Sequence, residues 1–261
     1  MGNGFEALVR AAAPLWAAEG ELIEGYFASS ERTVATDLHW LRAQCGKELV
    51  DGVELRRDAL AGLADDLGDP GARARAIGEA QELVEELAHL DAFATAYGTI
   101  RGPADPELTS SSVRDAARWP ENVALAALRA RDRARSPRLG SIAQAFTEGG
   151  CATLYAAGMA LAGTARDDAI ARACAAVYED EVHHMRAGAG GLADAVLDGA
   201  EWAELTDMVV GQLRARLPMR DAQFAGLADP ARLDALLAGA ARPRPADLAR
   251  VGLSGSGVGA P

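Results

Sequence analysis

Two glutamate–histidine pairs carry the clearest chemistry in the chain. Glu86-Leu-Ala-His89 and Glu181-Val-His-His184 both read Glu-x-x-His, and the chain has only four histidines: His39, His89, His183 and His184. Residues three apart share a helix face, so each pair aims a carboxylate and an imidazole at one place. Such an oxygen-and-nitrogen donor set suits Fe or Mn better than a thiolate-binding metal. With 18 glutamates in 261 residues, chance alone gives fewer than one such motif.

The pairs need helices to hold them, and the composition supplies helices. About half the chain is apolar but only 5% is aromatic, with Ala and Leu dominating. That favours an all-α fold over a sandwich or barrel. The punctuation divides the chain as follows. A first helical segment from Phe5 to about Phe27 is interrupted by Pro14 and Gly20. A long helix spans about Glu31–Leu63, and Asp69-Pro70 restarts the chain as a capping carboxylate followed by a first-turn proline. The helix that follows runs to about Tyr97, and a loop extends from Gly102 through Ser110-Ser111-Ser112. A shorter helix follows Pro120, and a long one runs from Pro137 to about Leu161. Asp167-Asp168 opens another, which reaches about Arg186 before Gly188, Gly190 and Gly191. Further helices fit Glu201–Leu217 and Pro230–Ala240, and a disordered tail is expected over 254–261. Residues 1–253 then form a single helical domain, with two long hairpins, 31–97 and 137–187, joined by a crossover. A C-terminal helical extension follows over 191–253.

Residues equally far from a hairpin turn lie side by side. About Ala165, Glu181 lies 16 residues after the turn and Glu148 lies 17 before it. About Gly68, Glu86 lies 18 after, Glu48 lies 20 before and Glu54 lies 14 before. Glu48 also sits on a helical stripe with Leu41, Cys45, Gly52, Leu55 and Ala59, whereas Glu54 shares a face with Lys47, Asp51, Arg57 and Asp58. Glu48 therefore matches better by height and by face, and Glu54 remains the alternative. Asp180-x-x-His183 likewise competes with Glu181-x-x-His184. Four carboxylates on buried stripes at one level are very costly unless cations compensate them. No lysine or arginine falls on those stripes nearby. Two divalent ions would neutralise the carboxylates, and the two imidazoles would complete the ligand set.

The pattern Glu48…Glu86-x-x-His89…Glu148…Glu181-x-x-His184 resembles the ferritin-like di-iron carboxylate superfamily, over roughly residues 31–188. That group includes rubrerythrins, ribonucleotide reductase small subunits and aldehyde-deformylating oxygenases. The resemblance implies a ferritin-like four-helix bundle with a long crossover and additional N- and C-terminal helices. It implies metal ligation by Glu48, Glu86, His89, Glu148, Glu181 and His184, with two Fe ions, or Mn with Fe, as cofactor. The implied activity is that of a non-heme di-iron oxygenase or oxidase, using O2 to oxidise a small organic substrate. Electrons would come from an external reductase or ferredoxin-like donor, since no flavin, dinucleotide or Fe–S motif is present. The alternatives are an iron-handling or peroxide-reducing protein, and a metal-free helical binding protein.

Other residues have plainer readings. His39 reads as structural or exposed. Cys45, Cys151 and Cys174 read as packing residues, and Tyr155 and Tyr178 as core residues near the metal level. Gly149-Gly150 beside Glu148 reads as close packing of a neighbouring helix or, the favoured reading, as room for dioxygen and substrate. The net charge of −12 disfavours a nucleic-acid or anionic-membrane partner. No apolar run approaches a membrane span. Three cysteines make no disulfide framework, so a cytoplasmic location is expected, and the Ala-rich faces would permit a homodimer.

Overall fold

The computed structural model describes residues 2–148, 151–193 and 195–245; the side chains of Glu148, Cys151 and His184 lie outside the described set. Gly149, Gly150 and the expected tail over 254–261 also lie outside it. The secondary structure of the described residues is helical, and no strand occurs among them. None of their helices is long and apolar enough to cross a membrane.

Helix α1 spans Gly2–Ala28 without a break, contrary to the expected interruption at Pro14 and Gly20. Proline inside a helix costs about 3 kcal/mol. Burial of Ala12, Ala13, Leu15, Trp16, Ala17 and Ala18 around it outweighs that penalty. Gly20 serves close packing: a Cβ there would lie 2.9 Å from the Thr153 methyl group.

Thr33 caps α2 (Val34–Lys47) through a reciprocal capping box with Thr36. The chain then widens into a π-helical segment, Glu48–Glu54, before α3 (Leu55–Gly62). The single helix expected over 31–63 is therefore three pieces. The wider winding rotates everything beyond it, so the expected buried stripe fails at Leu55, which is 48% exposed. A short 3₁₀ turn leads to Asp69, whose carboxylate accepts from the Ala72 N–H and starts α4 (Pro70–Ile100).

The three serines read as loop instead form α5 (Ser110–Ala116), because Thr109 closes a capping box with Ser112. Pro120 and Pro137 open α6 (Pro120–Arg135) and α7 (Pro137–Glu148). Next come α8 (Cys151–Met159) and α9 (Ala165–Ala193). Helix α9 continues through Gly188, Gly190 and Gly191, where Ala189 and Leu192 are buried. Asp198 caps α10 (Gly199–Gln223), which passes Pro218 and outruns its expected end at Leu217. Asp229 caps α11 (Pro230–Leu237).

Two hairpins meet where α4 packs on α9: α2 and the π segment lie against α4, and α8 lies against α9. Around them α1 pairs with α10, and α10 also packs on α6 and α7. The apolar core has two parts. One joins α1, α7 and α10; the other joins the end of α1 to α2, α4, α8 and α9. The terminal helices thus build core rather than merely cap a bundle.

Candidate metal centre

Helix α2 delivers Glu48 at its C-terminal end, just as the winding widens. Glu48 is 5% exposed. Its carboxylate Oε1 accepts from Gln44 Nε2 at 2.5 Å and from the Tyr155 hydroxyl at 3.3 Å. From α4, Glu86 and His89 arrive on one face, as their spacing predicts. One ligand atom from each of Glu48, Glu86 and His89 lies within 4.8 Å of the others. Donors so placed need close by less than about 1 Å to share one ion held at roughly 2 Å.

Gly52 makes room for this. A Cβ at that position would overlap the Glu86 carboxylate, so the glycine in the π segment lets Glu86 cross toward Glu48. The expected stripe placed Gly52 beside Glu48; the reason for a glycine there is the side chain of another helix.

His89 is 1% exposed. Its Nε2 lies 3.2 Å from Asp180 Oδ2 on α9. Its Nδ1 lies 3.8 Å from Glu86 Oε2 and has no hydrogen-bond partner. With Nε2–H given to Asp180, loss of the other ring proton would leave the Nδ1 lone pair facing the carboxylates. A carboxylate behind a histidine fixes the ring and raises its basicity in metal sites. The orphaned Nδ1 and the two-oxygen, one-nitrogen donor set both fit a metal ion.

The charges tell the same story. Burial, with the neighbouring Glu86 charge added, pushes the Glu48 carboxyl up to about 7. Burial pulls His89 down, but Glu86, Glu48 and Asp180 outweigh it and raise the imidazole to about 9. Without metal, the imidazolium is therefore the local counter-ion of the two glutamates. Cys45 is pushed up to about 12 by burial and by the Glu48 charge, so it packs as a neutral thiol. Burial alone does the same for Cys174.

Glu54 lies elsewhere, its carboxylate accepting from Arg114 at 2.7 Å. Glu181 is half-buried on α9 and does not join the Glu48–Glu86–His89 cluster. The side chains of Glu148 and His184, the expected remaining ligands, and Gly149-Gly150, the expected space, lie outside the described residues. His183 and His39 are exposed, and His39 Nε2 lies 3.3 Å from the Ala222 carbonyl oxygen.

A buried polar chain behind Glu48 has no counterpart in the sequence reading. Glu19 on α1 accepts from both Arg216 and Arg220 at 2.8–3.0 Å. Arg220 donates to Gln223 Oε1 at 2.5 Å, Gln223 Nε2 donates to Gln44 Oε1 at 2.8 Å, and Gln44 donates to Glu48. An arginine can only donate. It therefore fixes Gln223 with its oxygen inward, then Gln44, and the chain ends with N–H aimed at Glu48. The spacing carries a signal: Gln212, Arg216, Arg220 and Gln223 form a polar stripe, at three- and four-residue spacing, beside the buried Leu205, Met208, Val209, Leu213 and Leu217 of α10.

No family model, no curated protein and no solved structure matches the chain. Function must therefore be argued from the site itself.

Proposed function

We propose that this protein is a ferritin-like, non-heme di-iron oxygenase or oxidase that uses dioxygen to oxidise a small organic substrate. The observation that carries the reading is the buried Glu48–Glu86–His89 cluster, with His89 Nδ1 orphaned beside the carboxylates. Glu48, Glu86 and His89 would hold one metal ion, and Glu148, Glu181 and His184 belong to the other half of the proposed ligand set. Bound iron would supply Lewis acidity and electrons to dioxygen.

The rest is done by the chain. Asp180 holds the His89 Nε2 proton and so keeps Nδ1 free to ligate. Gln44 and Tyr155 occupy Oε1 of Glu48 and set the carboxylate's orientation. Leu41, Phe93 and Val177, all fully buried in the core these helices share, exclude water from the surroundings. Electrons would come from an external reductase or ferredoxin-like donor.

The test is anaerobic Fe(II) loading followed by an oxygen pulse. A transient visible absorption and rapid oxygen uptake are expected from the loaded protein. Both should disappear in His89→Ala. Uptake equal in the two proteins would sink the reading.

A further inference from the structure

A cavity of about 450 Å³ opens between the π segment, α3, α6 and α7. Its size falls within the range of small-molecule sites, roughly 300–1,000 Å³. Its walls are close in sequence to the expected ligands: Val50 is two residues past Glu48, and Ala145 is three residues before Glu148.

Its charge is the reverse of the chain's. Acidic residues outnumber basic ones 38 to 26 overall, yet Arg56, Arg129 and Arg133 line the cavity against one carboxylate, Asp51. Arg56 is engaged by Glu79 and Glu82, and Asp51 by Lys47 at 3.7 Å. Arg133 is exposed at the rim, and its hydrogen-bond partner is the neutral amide of Gln144. Arg129 lies one turn back on the same helix, 8% exposed, and donates to Thr147 Oγ1 at 3.3 Å. The lining also offers hydrocarbon: Leu55 on α3, displaced outward by the π segment, and Leu125, one turn before Arg129 on α6.

We infer that this cavity binds a small organic carboxylate, its anionic end at Arg133 and its hydrocarbon part along Leu55 and Leu125. A guanidinium fork matches a carboxylate in shape and charge, and the apolar wall calls for an organic tail rather than a bare anion. That this ligand is the substrate rests on the oxygenase reading; that it binds does not.

Calorimetry on the metal-free protein separates the two, with hexanoate, hexanamide and inorganic phosphate as probes. Saturable hexanoate binding is expected, with hexanamide weaker by about tenfold, the loss of one charge-assisted contact. Arg133→Gln should weaken hexanoate by a similar factor and leave hexanamide unchanged. No hexanoate binding, equal binding of acid and amide, or phosphate binding as tight as hexanoate would each overturn the proposal. Glu48→Gln should leave hexanoate binding intact while removing metal. Hexanoate binding without any metal binding by the parent protein would overturn the metal centre and keep the cavity.

Discussion

His89 on α4 reaches Asp180 on α9, Nε2 to Oδ2 at 3.2 Å, and this contact turns its other nitrogen toward Glu86 and Glu48. One hydrogen bond between the two hairpins thus decides which imidazole nitrogen is available. Asp180→Asn should therefore weaken metal binding by roughly 10- to 100-fold, the usual cost of losing a carboxylate behind a ligating histidine. Asp180 is half-exposed, so folding should change little. Mn(II) titration with a parallel thermal melt checks both statements.

Gly52→Ala separates folding from metal binding. Replacing a helical glycine by alanine gains up to about 1 kcal/mol of stability. Here the new methyl group would meet the Glu86 carboxylate, the far end of a flexible side chain that can swing aside. The gain and the clash largely cancel in stability. The displaced carboxylate cannot ligate, so metal affinity should fall by tenfold or more, as about 1.4 kcal/mol of lost binding implies. Unchanged affinity would show that Glu86 does not need its observed position.

The pH response of the metal-free protein follows from the two raised groups. Glu48 rises from an ordinary 4.5 to about 7, and His89 from 6.5 to about 9. Stability tied to each bound proton is complete below the ordinary value and is lost as pH rises through the folded value. The melting temperature should therefore fall between pH 5 and pH 9, by an amount on the order of 10 °C. Metal binding displaces the same protons, so affinity should rise with pH, about tenfold per unit between 7 and 9. A flat affinity profile over that range would remove His89 from the ligand set.

Glu19 is the counter-ion of two buried arginines and is held at about 2, because Arg216 and Arg220 outweigh the cost of its burial. Its contribution to stability is present above pH 4.5 and is lost as pH falls toward 2. Glu19→Gln leaves two guanidinium groups buried without that charge and should cost about 3–5 kcal/mol. Urea unfolding at pH 7 measures it.

Much of this arrangement is local and could be read from residue spacing. Glu86 and His89 share a face because they are three apart on a helix. Asp69-Pro70, Pro120 and Pro137 mark the helix starts, and distance from the turn favours Glu48 over Glu54. The rest is tertiary. A stripe at the ordinary helical period assumes ordinary winding, so the π segment and the outward Leu55 escaped it. Proline and glycine penalties are local, and packing of α1 and α9 overrides them. The Asp180–His89 contact and the Arg220–Gln223–Gln44–Glu48 chain join residues far apart in sequence, which no periodicity encodes.

The most direct measurement is the iron content of the protein after anaerobic Fe(II) loading and desalting, set beside that of Glu48→Gln. About two iron ions per chain are expected in the parent protein, the number the resemblance implies. A clear deficit is expected in the variant at unchanged helical content. Equal iron in both, or none retained by either, would contradict the proposed metal centre.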